Sequence, residues 1–106
     1  MAKYLIEASY TADGVKGLLK DGGSARREAA TQLMETLGGK VEAFYFSFGS
    51  SDAFVIVDMP DNVSVTAASL AVNSSGAVTA KVVVLMTPEE VDEACRKSPA
   101  YQAPGS

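Results

Sequence analysis

The chain has 106 residues, and its 47% hydrophobic and 21% charged side chains are typical of a folded globular domain. Its formal net charge of −4 and the lack of any basic run longer than Arg26-Arg27 argue against binding to nucleic acid. Lys3 and Glu7 interrupt the segment where a secretory signal needs apolar residues, and no apolar run reaches the roughly 20 residues of a membrane helix. We therefore expect a soluble cytoplasmic protein with one domain over 1–97 and a flexible tail over 98–106.

The first part of the chain predicts one strand followed by two helices. Residues 3–10 alternate between two sets of side chains, which is the period of a strand. The segment Thr11-Ala12-Asp13-Gly14 offers side-chain oxygens that can cap a short helix, and Gly22-Gly23 ends it. The apolar residues of this helix are Val15, Leu18 and Leu19. A longer helix is predicted over 25–37 and ends at Gly38-Gly39. Its apolar stripe consists of Ala29, Ala30, Leu33, Met34 and Leu37.

The second part predicts a hairpin, a helix, a strand and a last short helix. Strands over 41–48 and 53–59 are joined by a glycine turn. A helix follows near 62–74, and an apolar strand covers 78–86. The apolar residues assigned to that helix are Val63, Ala67, Leu70 and Ala71. The last helix starts at Pro88, because proline is favoured at the first helical position.

The order of these elements, β-αα-ββ-α-β-α, is that of an α+β ferredoxin-like sandwich whose first helix is split. Right-handed crossovers place strand one in the centre of a four-stranded antiparallel sheet, between strands three and four. Both faces of the hairpin at 41–59 are too apolar for open water. The helices can cover one face, so we expect the other face to meet a second copy of the chain in a homodimer. The sequence does not decide whether such dimers form larger assemblies.

Three segments of the chain, in this order, carry a resemblance to a known family. They are GVKGLLKDGGSARREA at 14–29, LGGKVEAFYFSFGSSDAFVIVDMPD at 37–61 and LMTPEEVDEA at 85–94. They resemble the GYD-domain family, which is named for a Gly, Tyr, Asp signature. Gly49 and Asp52 match the signature, but Ser51 stands where the tyrosine is expected, so a role that depended on that phenol does not follow for this chain. The family resembles the dimeric α/β-barrel proteins and has no settled activity, so the resemblance implies a fold and a homodimer only.

Several kinds of site are excluded because the chain has no histidine and no tryptophan. A histidine-ligated haem, a histidine-based zinc site and a Ser-His-Asp triad each require a side chain that is missing. We expect no cofactor and no metal. Cys95 has no second cysteine and no histidine beside it, so we expect this thiol to pack against a neighbouring helix surface.

The main catalytic candidates are Glu7 and Lys81, which strand parity places on neighbouring strands of one mixed face. The residues assigned to this face are Leu5, Glu7, Ser9, Tyr45, Ser47, Asp52, Phe54, Ile56, Lys81 and Val83. A carboxylate and an ammonium group in a low-dielectric space either pair or shift their pKa values, and they could exchange protons with a carbonyl or enol substrate. The alternative is a structural ion pair between two strands or two subunits.

Asp52 is the third catalytic candidate, because it opens strand three at the mouth of the expected cavity. Its alternative role is that of a turn residue whose oxygen accepts a hydrogen bond from a nearby backbone N–H. The residues expected to contact a ligand are Ser9, Tyr45, Ser47 and Phe54. The Tyr45 hydroxyl could donate to an oxyanion, or its ring could simply pack on the sheet.

These observations favour a homodimer that binds a small, partly apolar organic molecule between sheet and helices or between subunits, with acid–base chemistry from Glu7, Asp52 and Lys81. The competing hypothesis is a non-catalytic assembly or regulatory module whose sheet face only joins subunits. A cofactor-free oxygenase fits the fold by analogy alone. A cavity of roughly 300 Å³ or more, lined by Tyr45, Asp52 and Lys81, would favour binding, whereas side chains would fill that space in an assembly module.

Overall fold

The computed structural model describes residues 1–47 and 49–105, so Phe48, which its spacing assigns to the core, lies outside the described residues. The strands are β1 Ala2–Tyr10, β2 Lys40–Phe46, β3 Ala53–Met59 and β4 Val78–Leu85. The helices are α1 Ala12–Asp21, α2 Gly23–Thr36, α3 Asn62–Ser74 and α4 Pro88–Lys97. No helix among the described residues is long and apolar enough to cross a membrane.

The four strands form one antiparallel sheet in the order β2-β3-β1-β4. The predicted ferredoxin-like α+β topology is therefore confirmed, including the central position of β1 between β3 and β4. Strands β2 and β4 are the two edges of the sheet. Because cross-strand partners share a face, the register of the ladders decides which side chains meet on each side.

The core lies between the sheet and helices α2 and α3. Its buried members are Tyr4 and Ile6 of β1, Val55, Val57 and Met59 of β3, Met34 of α2, and Val65 and Ala68 of α3. Burying each of the larger side chains contributes roughly 1.5–3 kcal/mol. The Tyr4 hydroxyl donates a hydrogen bond to Asn62 Oδ1, so the polar end of this buried ring has a partner at the start of α3.

Helix α1 is held against the start of β4 at its first turn. Thr11 caps it, and the Thr11 backbone N–H donates to the Ala77 carbonyl at 2.9 Å. A Cβ atom on Gly14 would overlap that same carbonyl oxygen, so only glycine permits the close approach. Helix α1 ends at Gly22, whose φ of +87° turns the chain into α2 and favours glycine. In the second half of α1, Leu18 is partly buried and Leu19 is 81% exposed.

Helix α3 buries Val65 and Ala68 and leaves exposed the apolar residues that the sequence analysis names on it. Val63 and Leu70 are 78% and 66% exposed, and Ala67 and Ala71 are exposed as well. Helix α3 has no charged residue that would mark its wet side. The Tyr4–Asn62 hydrogen bond and the shape of the sheet set its rotation instead.

Helix α4 forms from local signals but buries nothing. Thr87 and Glu90 make a capping box, Pro88 occupies the first turn as predicted, and cations lie in the last turn. None of the helix's 10 residues is buried in the described chain. The overall extents are 57 × 33 × 22 Å, and the radius of gyration of 16.9 Å exceeds the roughly 13 Å of a compact domain of this length.

The two sides of α3 should differ sharply in their contribution to stability. Val65→Ala should lower the free energy of unfolding by about 2 kcal/mol, because it removes two methyl groups from the core and leaves a cavity. The matched control Leu70→Ala removes more apolar atoms from an exposed position and should cost less than about 0.5 kcal/mol. Urea unfolding measures both values. A Leu70→Ala cost equal to that of Val65→Ala would contradict the observed rotation of α3.

Candidate functional site

One row of side chains crosses all four strands on the sheet face opposite the helices, which we call the open face. In register, its members are Tyr45, Phe54, Glu7 and Lys81. The adjacent row consists of Ala43, Ile56, Leu5 and Val83. Ser9 pairs with Thr79 on the other side of the first row. The open face therefore collects most of the residues that strand parity assigns to it.

Glu7 and Lys81 lie directly opposite each other on β1 and β4, as strand parity predicts. Glu7 is partly buried and Lys81 is exposed. No ion pair joins them in the part of the chain that the structure describes, where the ion pairs are those of Lys3. Glu7 and Lys81 are thus neighbours of opposite charge that form no ion pair with each other in this part of the chain.

Lys3 connects three strands at one end of the open face, a cluster that the sequence reasoning missed. Its Nζ donates to Glu42 Oε2 at 2.8 Å and to Asp58 Oδ1 at 2.9 Å. These hydrogen bonds, to Glu42 first and then to Asp58, raise the pKa of Lys3. The cluster stabilises the fold below the ordinary lysine pKa, and this contribution is lost as the pH rises through the raised value. A register shift between Val41 and Ala43 accompanies the cluster, and alternation alone does not reveal that shift.

The open face has no helix over it in the described chain, because the core helices pack on the opposite side. Tyr45 is 71% exposed and Val83 is 40% exposed. Leu5, Phe54 and Ile56 are only partly buried by their neighbours in the sheet. A single copy of the chain therefore leaves a mixed apolar surface in water.

A second feature is a cleft of about 480 Å³ between α1 and the end of the β2–β3 hairpin. Its apolar walls are formed by Tyr10, Val15, Leu18, Leu19 and Phe46, and its polar side chains are Ser47 and Asp52. The Tyr10 and Phe46 rings lie 6.4 Å apart between their centres. Phe46, which its spacing along the strand assigns to the core, is 39% exposed because it faces this cleft. The sequence reasoning did not locate the cleft.

Asp52 is fixed by the backbone of β1. Its Oδ2 accepts a hydrogen bond from the Tyr10 backbone N–H at 2.8 Å, and its own N–H donates to the Ala8 carbonyl at 2.8 Å. This is the turn-residue contact considered from the sequence. A carboxylate has several lone-pair sites, so the other oxygen can still accept from a ligand. Asp52 and Ser47 line the cleft, whereas Glu7, Lys81 and Tyr45 do not.

A smaller cavity of about 100 Å³ lies between the sheet and helices α2 and α3. Its mostly apolar lining includes Ile6, Leu33, Val55 and Val72, and Tyr10 borders both this cavity and the cleft. Ligand pockets usually measure roughly 300–1,000 Å³, so this cavity alone is too small for one. Within 1–47 and 49–105, no group of three or more Asp, Glu or Cys side chains fits a metal ion.

A four-stranded antiparallel sheet with helices packed on one face defines this protein as a ferredoxin-like α+β domain. The family model described as GYD domain matches residues 4–95, from β1 to near the end of α4. This match covers most of the chain, and the chain belongs to the GYD-domain family. No curated protein matches it.

The contact between Asp52 and the Tyr10 backbone can be tested with two substitutions. Asp52→Ala leaves a backbone N–H without its acceptor and should lower the free energy of unfolding by about 1–3 kcal/mol. Asp52→Asn keeps an acceptor oxygen in the same place, so it should cost less than about 1 kcal/mol. Both are read from urea unfolding at neutral pH. Equal losses for the two variants would show that this hydrogen bond does not hold the hairpin to β1.

Proposed function

We propose that this chain works as a homodimer that binds a small, partly apolar organic molecule in the cleft between α1 and the β2–β3 hairpin. The observation that carries the proposal is the cleft itself, with its volume of about 480 Å³. That volume lies inside the roughly 300–1,000 Å³ range of small-molecule sites. An apolar wall with a few polar groups on one side is also the usual lining of such sites.

The lining indicates which kind of molecule fits. Tyr10, Leu18 and Phe46 offer apolar and aromatic contact, and Asp52 offers a carboxylate oxygen beside the Ser47 hydroxyl. A carboxylate accepts hydrogen bonds but does not donate them. The ligand therefore has a hydrocarbon or aromatic body and a hydroxyl or amine group that donates to Asp52.

The exposed side chains of α1 support the same site. Val15 is 42% exposed and Leu19 is 81% exposed, and both line the cleft. A ligand that covers them removes apolar surface from water, which is worth about 25 cal/mol per Å². Binding would thus stabilise the exposed side of α1.

In the proposed dimer, the open faces of two copies meet. Face-to-face sheets pack about 10 Å apart, which excludes water from the side chains between them. Glu7 and Lys81 would then lie side by side in a low-dielectric interior, where they pair or serve as proton acceptor and donor. We assign acid–base chemistry to these two residues on a carbonyl or enol substrate that lies between the subunits, with Tyr45, Phe54 and Ser9 beside it. This is a different site from the cleft, which neither Glu7 nor Lys81 lines. Asp52 acts in the cleft as the ligand's acceptor.

The second candidate function is a non-catalytic assembly module. The observation that favours it is the apolar outer side of α3, where Val63 and Leu70 are exposed in addition to the open face. Two apolar surfaces on one chain suit a protein that joins dimers into larger assemblies. In that case the cleft is an unfilled gap and has no ligand.

A thermal-shift screen against a metabolite library tests the binding function. A compound at about 100 times its dissociation constant should add roughly 2.7 kcal/mol to the stability of the native protein and raise its Tm by several degrees. Val15→Trp places a large ring in the cleft and should abolish the shift. Lys16→Trp, at the next and exposed position of α1, is the matched control and should preserve it.

Two results would contradict the proposal. One is a screen in which no compound with an apolar body and a donor group changes the Tm. The other is a shift that persists unchanged in Val15→Trp, because the ligand would then bind elsewhere.

A further inference from the structure

Helix α4 carries an apolar stripe whose residues all remain exposed in the described chain. The stripe consists of Val91, Ala94 and Cys95, which follow helical spacing on one side of the helix. Val91 is 47% exposed and Cys95 is exposed. The thiol that the sequence assigns to a packed position has no packing surface within the described chain.

A helix of this length needs tertiary contacts to persist. Helices shorter than roughly 12–15 residues are marginal in water on their own, and packing of an amphipathic face supplies most of their stability in proteins. Helix α4 has 10 residues, and its capping box and terminal charges add only local support. It is also part of the family domain, because the family match extends to Cys95. Its stripe is therefore expected to have a protein partner.

The chain around the start of α4 is uncovered as well. Val84 shares a sheet face with the buried Tyr4, yet it is 61% exposed because no helix reaches this corner of β4. Met86, in the two-residue link between β4 and α4, is 56% exposed. Val84 faces the helix side of the sheet, so these two residues mark exposed apolar surface next to the start of α4 and are not part of the open face.

Docked helices would enlarge the interface that the open faces provide. Four strands of about seven residues, spaced roughly 4.8 Å apart, give a flat footprint of about 450 Å². A helix as long as α4 adds a face of roughly 15 Å by 10 Å, and in a two-fold dimer each copy gives one such helix and receives the other. The two helix faces enlarge the flat footprint by about two thirds and add to the accessible surface that is buried, which is about 800 Å² on each partner in a standard interface.

We infer that α4 of each copy docks on the second copy of this chain and buries the stripe Val91, Ala94 and Cys95 in the dimer. The inference rests on the homodimer proposed above and adds the element that completes its interface. The position of α4 favours a second copy of the chain as the partner that covers this stripe. The helix starts at edge strand β4, two residues beyond the sheet, so meeting open faces bring it to the border of the partner.

Cys95 is the only cysteine of the chain and reports directly on this contact. We would measure its rate of reaction with N-ethylmaleimide over a dilution series, together with the molecular mass by sedimentation. In the dimer the rate should be at least about tenfold lower than in urea-unfolded protein, because a docked thiol reacts only when α4 opens. Dilution below the dimer dissociation constant should restore the fast rate.

A matched control places the thiol on the opposite side of α4. The double variant Cys95→Ser with Glu93→Cys should react rapidly at every concentration, since the Glu93 position faces water in the docked helix. A second variant, Val91→Asp, puts a charge into the stripe and should raise the dimer dissociation constant by about tenfold or more. Its single-chain fold should be unchanged, because Val91 is not buried there.

The outcomes separate this inference from the dimer itself. A chain that sediments as a monomer at all accessible concentrations overturns both. A dimer in which Cys95 reacts as fast as the Glu93→Cys control, or in which Val91→Asp has no effect, overturns the docking of α4 and leaves the open-face dimer standing. Protection that appears only in species larger than a dimer also overturns it.

Discussion

The structure depends on a sheet that is covered on one side only. Strand alternation places Tyr4 and Val57 on the face packed against α2 and α3, where both are buried. The other face carries Leu5, Phe54 and Ile56, and no helix in the described ranges lies on it. Burying apolar surface stabilises a protein by about 25 cal/mol per Å², and surface left in water does not contribute this stabilisation. Among the described residues, the helical members of the main core come from α2 and α3, so the open face and α4 both stay exposed in a single copy.

Local sequence patterns were sufficient for the elements and their order. Thr11, Asp61 and Thr87 cap three helices, and the crossover rule places β1 in the centre of the sheet. The rotation of α3 was not predictable in this way. Asn62–Ser74 has no charged residue, so its apolar and small side chains are compatible with either side against the sheet, and tertiary contacts decide between them.

Strand alternation predicted the positions of the site residues that lie within strands. It did not predict the positions that depend on how far apart two elements lie. The register brings Glu7 and Lys81 together, as period-two alternation requires. Asp52 precedes β3, where turn geometry rather than alternation aims the side chain, so it joins the cleft instead. The cleft lies where Val15 and Leu18 of α1 face Phe46 of β2, and no local sequence pattern encodes the spacing between these two elements.

The central claim is that a second copy covers the open face, and light scattering with a pair of variants tests it most directly. Wild type should give about twice the chain mass of 11.0 kDa at micromolar concentration. Val83→Asp places a charge on the open face and should give the monomer mass, because burying an unpaired charge costs several kcal/mol. Leu70→Asp, on the helix side, should leave the dimer intact. A wild-type monomer, or a dimer that Val83→Asp does not weaken, would contradict the account.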